Sequence, residues 1–304
     1  MTLKRCSLAM AFVCAIAFSQ HPKVAVIGFL EDHQAKEEGI QGPALRVAFA
    51  RQGDGWVPVM ADPEDRAGLN RATLPGISQP QTWRILDHGN PTGTVATEGW
   101  SVSRLYSANG LLHVTRTVPF HGKRSANYGG WTGGDRYRPM LALLGPIRFQ
   151  RSDWRQISVD PEDLARIWPA FKQVVPTVPR CDGEGAWVEP EPATVFDDMG
   201  ITASYADAAG QRLVCAALKS ERVGECGPPD RSVSDFWFLV GADGKVSQLP
   251  MPPGDDAISL LPLEFLRLHG QDIALFLCSG YNRDGYLLYF GGFQKCAESF
   301  WSYN

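Results

Sequence analysis

Residues 265–303, FLRLHGQDIALFLCSGYNRDGYLLYFGGFQKCAESFWSY, decide the fold class. Four apolar runs, Phe265 to Leu268, Ile273 to Cys278, Tyr286 to Phe290 and Ala297 to Tyr303, are cut by short clusters rich in Gly, Asn, Asp and Gln. Runs this short, rich in aliphatic and aromatic residues and bounded by turn formers, read as strands. Connections of so few residues join antiparallel neighbours, because parallel strands need a long crossover. The segment is therefore a meander, closed by Phe300, Trp301 and Tyr303 in its last strand.

The same rhythm extends towards the N-terminus. Leu45 to Ala50 and Trp56 to Met60 flank Gln52-Gly53-Asp54-Gly55, where glycine supplies the positive φ of a tight turn. Thr82 to Asp87 and Thr94 to Glu98 flank HGNPTG, and Val102 to Ser107 and Leu111 to Val118 flank Ala108-Asn109-Gly110. Ile201 to Tyr205 pairs with Leu213 to Leu218, and Phe236 to Gly241 with Lys245 to Leu249 around Ala242-Asp243-Gly244. Asn282-Arg283-Asp284-Gly285 lacks the carboxylates of a calcium loop and reads as a hairpin turn.

One helix interrupts the pattern near 161–174. Asp160 caps it, Pro161 suits its first position, and Glu162 and Asp163 favour the positive end of its dipole. Leu164, Ile167, Trp168 and Phe171 recur at helical spacing, and Pro169 is expected to kink or end the regular part. VVPTVPRCDGEG beyond it reads as an extended, Pro-rich connection. The expected organisation is a leader at 1–19, a β region at 20–158, the helix and connection at 159–180, and a second β region at 181–304 that can be continuous with the first. The fold class is all-β, mostly antiparallel hairpins and meanders. It is either propeller-like or two packed β-domains, and the lack of a fixed-period repeat argues against the propeller.

The N-terminus has the three parts of a secretory signal. Lys4 and Arg5 precede an apolar run from Ser7 to Phe18, with Ala17 and Ser19 placed for cleavage before Gln20. That run is short of the ~20 residues that span a bilayer, and no later stretch is apolar enough to anchor the chain. Bulky residues before Cys14 argue against a lipid anchor. Cleavage would leave 285 of the 304 residues and move the formal charge from −4 to −6. The expected location is periplasmic or secreted. An acidic chain has no general attraction for nucleic acid or anionic lipid.

Five of the seven cysteines follow the leader. An oxidising compartment permits disulfides, and Cys181 and Cys226, both in Gly/Pro-rich stretches, are the expected pair. Cys215 and Cys278 lie in apolar runs and read as buried. Cys278 and Cys296 fall on the outer strands of a three-strand meander, about 9.6 Å apart, beyond the reach of a disulfide.

Chemistry-bearing motifs are missing: the sequence has no GxSxG, HExxH, Walker A loop, or GxGxxG before a helix. No histidine pair stands at i, i+2 in a strand or i, i+4 in a helix, so no metal site and no cofactor is expected. Asp32-His33 and Asp87-His88 adjoin, but neighbours on a strand point to opposite faces. Carboxylates cluster at Glu31-Asp32, Glu37-Glu38, Asp62 to Asp65, Asp197-Asp198 and Asp255-Asp256, mostly as solvated turns.

Residues 119–140, PFHGKRSANYGGWTGGDRYRPM, lose apolar periodicity for about twenty residues, a length typical of functional loops. His121, Arg124, Tyr128, Trp131, Asp135, Arg136, Tyr137 and Arg138 form the candidate ligand-binding set, because rigid aromatics and arginines stack on flat ligands and pair with anionic groups. The competing reading is a long connection whose Trp131 plugs the core. The sequence as a whole suggests an exported, non-catalytic binding protein of the cell envelope, with an anionic glycan, a peptide or a protein as partner. Two alternatives stay open: an envelope glycoside or peptidoglycan hydrolase using a carboxylate pair, and a structural or assembly factor.

Overall fold

The computed structural model describes residues 24–33, 42–59, 81–97, 101–104, 111–116, 127–129, 135–137, 139–181, 186–192, 199–219, 234–252, 258–280 and 283–302. The first half of the chain supplies β1 (Val26–His33), β2 (Gly42–Gln52), β3 (Gly55–Pro58), β4 (Gln81–Asp87), β5 (Asn90–Thr97), β6 (Ser101–Arg104), β7 (Leu111–Arg116), β8 (Asn127–Gly129), β9 (Asp135–Tyr137) and β10 (Met140–Leu144). Then come β11 (Phe149–Arg151), β12 (Arg155–Ile157), α1 (Pro161–Val174), β13 (Thr177–Cys181) and β14 (Trp187–Pro192). The remainder forms β15 (Met199–Ala206), β16 (Arg212–Leu218), β17 (Phe236–Val240), β18 (Val246–Gln248), β19 (Ile258–Leu268), β20 (Gln271–Gly280), β21 (Arg283–Phe290) and β22 (Lys295–Ser302).

The chain is mostly β, as expected, and every described strand pair is antiparallel. A first sheet of eight strands runs β5-β4-β10-β1-β2-β7-β6, with β3 also on β2. A middle sheet runs β11-β19-β20-β21-β22, and a third runs β12-β15-β16-β17-β18. The sheets stack and none closes into a barrel, which matches packed β-layers and not the blades of a propeller.

The expected C-terminal meander, β19 to β22, forms the middle layer together with β11. Ile273, Leu275, Leu288 and Phe290 on one face pack with Ile27, Phe29, Phe49, Leu141 and Leu143 of the first sheet. Ala274, Phe276, Leu287 and Tyr289 on the other pack with Leu213, Cys215 and Trp237 of the third. Burial on both faces is why these strands carry unbroken apolar runs rather than alternation. α1 covers the far side of the third sheet through Ile167 and Phe171, against Val214, Ala216, Phe236 and Phe238.

β19 is longer than its sequence suggests, and it changes face within its length. Pro262 pairs with Phe276 while Glu264 pairs with Leu275, so residue 263 is an insertion in the ladder. Such a bulge inverts the parity of everything after it. Ile258 and Leu260 therefore face the third sheet, whereas Leu266 and Leu268 face the first.

The helix has the expected bounds: α1 runs through Pro169 to Val174, so of the two expectations for Pro169 it is not the end, and the Asp160 carboxylate accepts from the Glu162 N–H at 2.9 Å as anticipated. One sequence expectation is corrected. Arg283-Asp284-Gly285 is already strand, with Asp284 and Gly285 registered on Ser279 and Cys278, so the reversal falls earlier than NRDG implied. Gly285 serves packing instead of a turn, since a Cβ there would collide with the Phe300 ring and lie 2.5 Å from the Ser299 carbonyl oxygen. Its partner across the ladder is Phe300, so the missing side chain makes room for that ring. Gly285→Ala is expected to destabilise the protein by about 1–3 kcal/mol, the usual cost of overpacking. Urea denaturation would measure it, and an unchanged midpoint would mean that the β22 backbone at Ser299 and Phe300 gives way at little cost.

Candidate functional site

The 119–140 stretch is not structureless. β8 and β9 form a two-stranded ribbon that pairs with no other described strand, placing Asn127 opposite Tyr137, Tyr128 opposite Arg136 and Gly129 opposite Asp135. It is inserted between β7 and β10, which both belong to the first sheet. Tyr128, Asp135, Arg136 and Tyr137 of the candidate set thus share one hairpin backbone. His121, Arg124, Trp131 and Arg138 lie outside the described residues.

The expected Cys181–Cys226 bridge is not supported. Cys181 ends β13 opposite Trp187, Cys226 lies outside the described residues, and no disulfide is present among the described residues. Cys215, Cys278 and Cys296 are reduced thiols. Cys278 and Cys296 sit on β20 and β22 with β21 between them, as the register argument required. Burial above all, and then the Asp235 charge, pushes the Cys215 thiol up well above its ordinary value. Burial and the Glu298 carboxylate raise Cys296 to about 11. Thiols held protonated at neutral pH are poor nucleophiles.

Two polar constellations escaped the sequence reading. The first lies between the first and middle sheets. Arg46 on β2 is 1% exposed and its Nε donates to Glu31 of β1 at 2.8 Å. The Tyr286 hydroxyl of β21 donates to the same carboxylate, and its ring stacks on Phe29 with centroids 3.6 Å apart. Glu31 is therefore no solvated turn residue. It is the acceptor that ties two sheets together at a polar seam within an apolar interface.

The second constellation joins the same two sheets elsewhere. The β4–β5 connection is a two-residue turn, His88-Gly89, with φ of 49° and 71°, rather than the six-residue loop read from HGNPTG. Positive φ at both central positions is the tight-hairpin geometry whose twist matches the strands. With His88 in the turn and not on a strand, the opposite-faces argument no longer applies, and its Nε2 lies 3.8 Å from Asp87 Oδ1. Glu264, turned to the first-sheet side by the β19 bulge, brings a carboxylate to within 4.8 Å of both. Sequence spacing could not reveal a set drawn from positions so far apart. His269, in the β19–β20 turn, stands apart from it, held below the ordinary histidine value by burial and then by Arg51 and Arg148.

Asp235, just before β17 of the third sheet, forms a clasp to β19 of the middle sheet. Its carboxylate accepts from the Ser259 hydroxyl at 2.8 Å and the Leu260 N–H at 3.0 Å. Burial nevertheless holds it above the ordinary carboxylate range, outweighing those two bonds.

No family model matches the chain, and neither the curated proteins nor the solved structures yield a significant relative. Its site chemistry rests on its own residues alone.

Arg46→Met is expected to cost about 3–5 kcal/mol, because Glu31 is left charged without its ion-pair partner. Tyr286→Phe should cost about 1.5–3 kcal/mol, the range for a hydrogen bond to a charged group. Equilibrium denaturation checks both, and near-zero effects would show Glu31 to be well solvated.

The raised Asp235 carboxyl binds its proton more tightly in the folded than in the unfolded chain. Its contribution to stability therefore rises as pH falls from neutral through the folded value towards the unfolded one. Asp235→Asn should be at least as stable as the parent at about pH 7, and that advantage should shrink on acidification. Urea titrations at neutral and mildly acidic pH test this, and an advantage that grows with acidity would contradict it.

Proposed function

We propose that the chain is an exported, non-catalytic binding protein of the cell envelope, periplasmic or secreted, whose β8–β9 hairpin recognises its ligand. One observation carries the reading: the hairpin is a separate ribbon inserted in the chain course of the first sheet, and it sets Tyr128 opposite Arg136 beside glycine. Aromatic and guanidinium groups on a short ribbon suit an anionic glycan or a carboxylate-bearing peptide. The leader-like N-terminus supports export, and the acidic composition speaks against nucleic acid as the partner. The raised thiols support a role that is not cysteine catalysis.

The hydrolase reading has one observation in its favour, the approach of the Asp87 and Glu264 carboxylates. Release of soluble fragments from peptidoglycan, lost in Glu264→Gln, would establish it. A structural or assembly role is the reading left if no small ligand binds.

The test is a thermal-shift screen of the chain from Gln20 against peptidoglycan fragments, anionic glycans and short peptides. A true ligand at 100 times its dissociation constant adds about 2.7 kcal/mol. Trp131→Ala and Arg136→Ala are each expected to abolish that shift while leaving the ligand-free melting temperature nearly unchanged. Unfolding of Trp131→Ala would instead make that residue a core plug, and a flat response across the panel would direct the search to a protein partner.

A further inference from the structure

Asp87, His88 and Glu264 have the composition and proximity of a metal site, and the fold itself brings them together. One donor atom from each lies within 4.8 Å of the other two. Donors bound to one ion at about 2.0–2.2 Å stand roughly 3–4 Å apart, so small side-chain rotations close the set. His88 is 54% exposed and offers an imidazole that an ion in solvent can reach. Glu264 is 8% exposed and brings its carboxylate to the β4–β5 turn that carries Asp87 and His88. The backbone defines both positions: His88 through the left-handed turn, and Glu264 through the bulge that sends it to the first-sheet side.

We infer that these three residues bind a divalent transition-metal ion, with zinc as the reference case. A neutral imidazole with two carboxylates matches zinc and its neighbours, whereas calcium takes six to eight oxygen ligands. The two carboxylates balance the charge of a dication. Three protein donors leave a fourth position for water or an anionic ligand. The stem of Arg151 passes beside Gly89 of the same turn. Because Asp87 and His88 belong to the first sheet and Glu264 to the middle one, a bound ion clips the two layers together. Binding at this site is independent of the hairpin.

The chain, stripped with chelator, is titrated with zinc by calorimetry and with cobalt by visible absorption. One equivalent of zinc and a raised melting temperature are expected, with cobalt bands lacking the intense near-ultraviolet absorption of thiolate ligation. His88→Asn keeps a residue that tolerates positive φ, and Glu264→Gln keeps the shape of the buried side chain. Each should weaken zinc binding by about tenfold or more, since even loss of an outer-shell partner costs 10–100-fold. Cys296→Ser should leave binding unchanged. Absence of zinc binding, zinc binding of parental strength in His88→Asn, or a thiolate signature with cobalt would each overturn the assignment. The exposed position of His88 keeps the test decisive even if Glu264→Gln fails to fold.

Discussion

The structure depends on a sheet whose centre is covered on both faces. The middle of β20 and β21 packs against the first sheet on one side and the third on the other, so there a residue at either parity must be apolar or find a partner. Burial of apolar surface contributes about 25 cal/mol per Å², and a layer used on both sides supplies it twice per strand. Tyr286 and Tyr289 meet the same condition with polar tips. One hydroxyl reaches the Glu31 carboxylate and the other donates to the Pro250 carbonyl at 2.8 Å.

Charges in this molecule gather at the seams between layers. Asp163 is fully buried at the first turn of α1, and burial raises its carboxyl even though Arg212 and Arg166 oppose that shift. Arg212, at the start of β16, also reaches Asp160, whose carboxyl is lowered first by the Glu162 N–H and then by Arg212. One guanidinium thus fastens the helix cap to the third sheet, as Arg46 fastens Glu31 between the other two. A buried pair of this kind adds little net stability, yet losing one member is costly. Such pairs therefore fix how the layers are registered more than how strongly they adhere.

Fold class was legible in the sequence because turn chemistry is local. Gly53, Gly244 and Gly270 mark reversals by their positive φ, and Asp160-Pro161 marks the helix by its capping chemistry. Two of the strands that went unread, β1 and β10, run through the middle of the first sheet, where short unbroken apolar stretches such as MLALL carry no alternation. The beginning of β19 was hidden by Pro262, a residue that argues against a central strand unless a bulge accommodates it. The site was less legible still. Tyr128 and Arg136 could be picked out by composition, but not their register across β8 and β9. Glu264 could not be joined to His88 without knowing that an inserted residue turns it towards the first sheet.

The middle layer also has a temporal meaning. Apart from β11 it is drawn entirely from residues 258–302, after both of the layers it separates. A chain that emerges N-terminus first, from the ribosome or across a membrane, completes the strands of the first and third sheets while the wedge between them has yet to be made. Until then, each presents an apolar wall that only long-range closure can cover, the slow kind of step in folding and the one most exposed to aggregation. Synthesis and folding are thereby forced out of step. Nascent forms of this protein should be far stickier than their length suggests, and their need for a holding chaperone should end abruptly once the last meander is free.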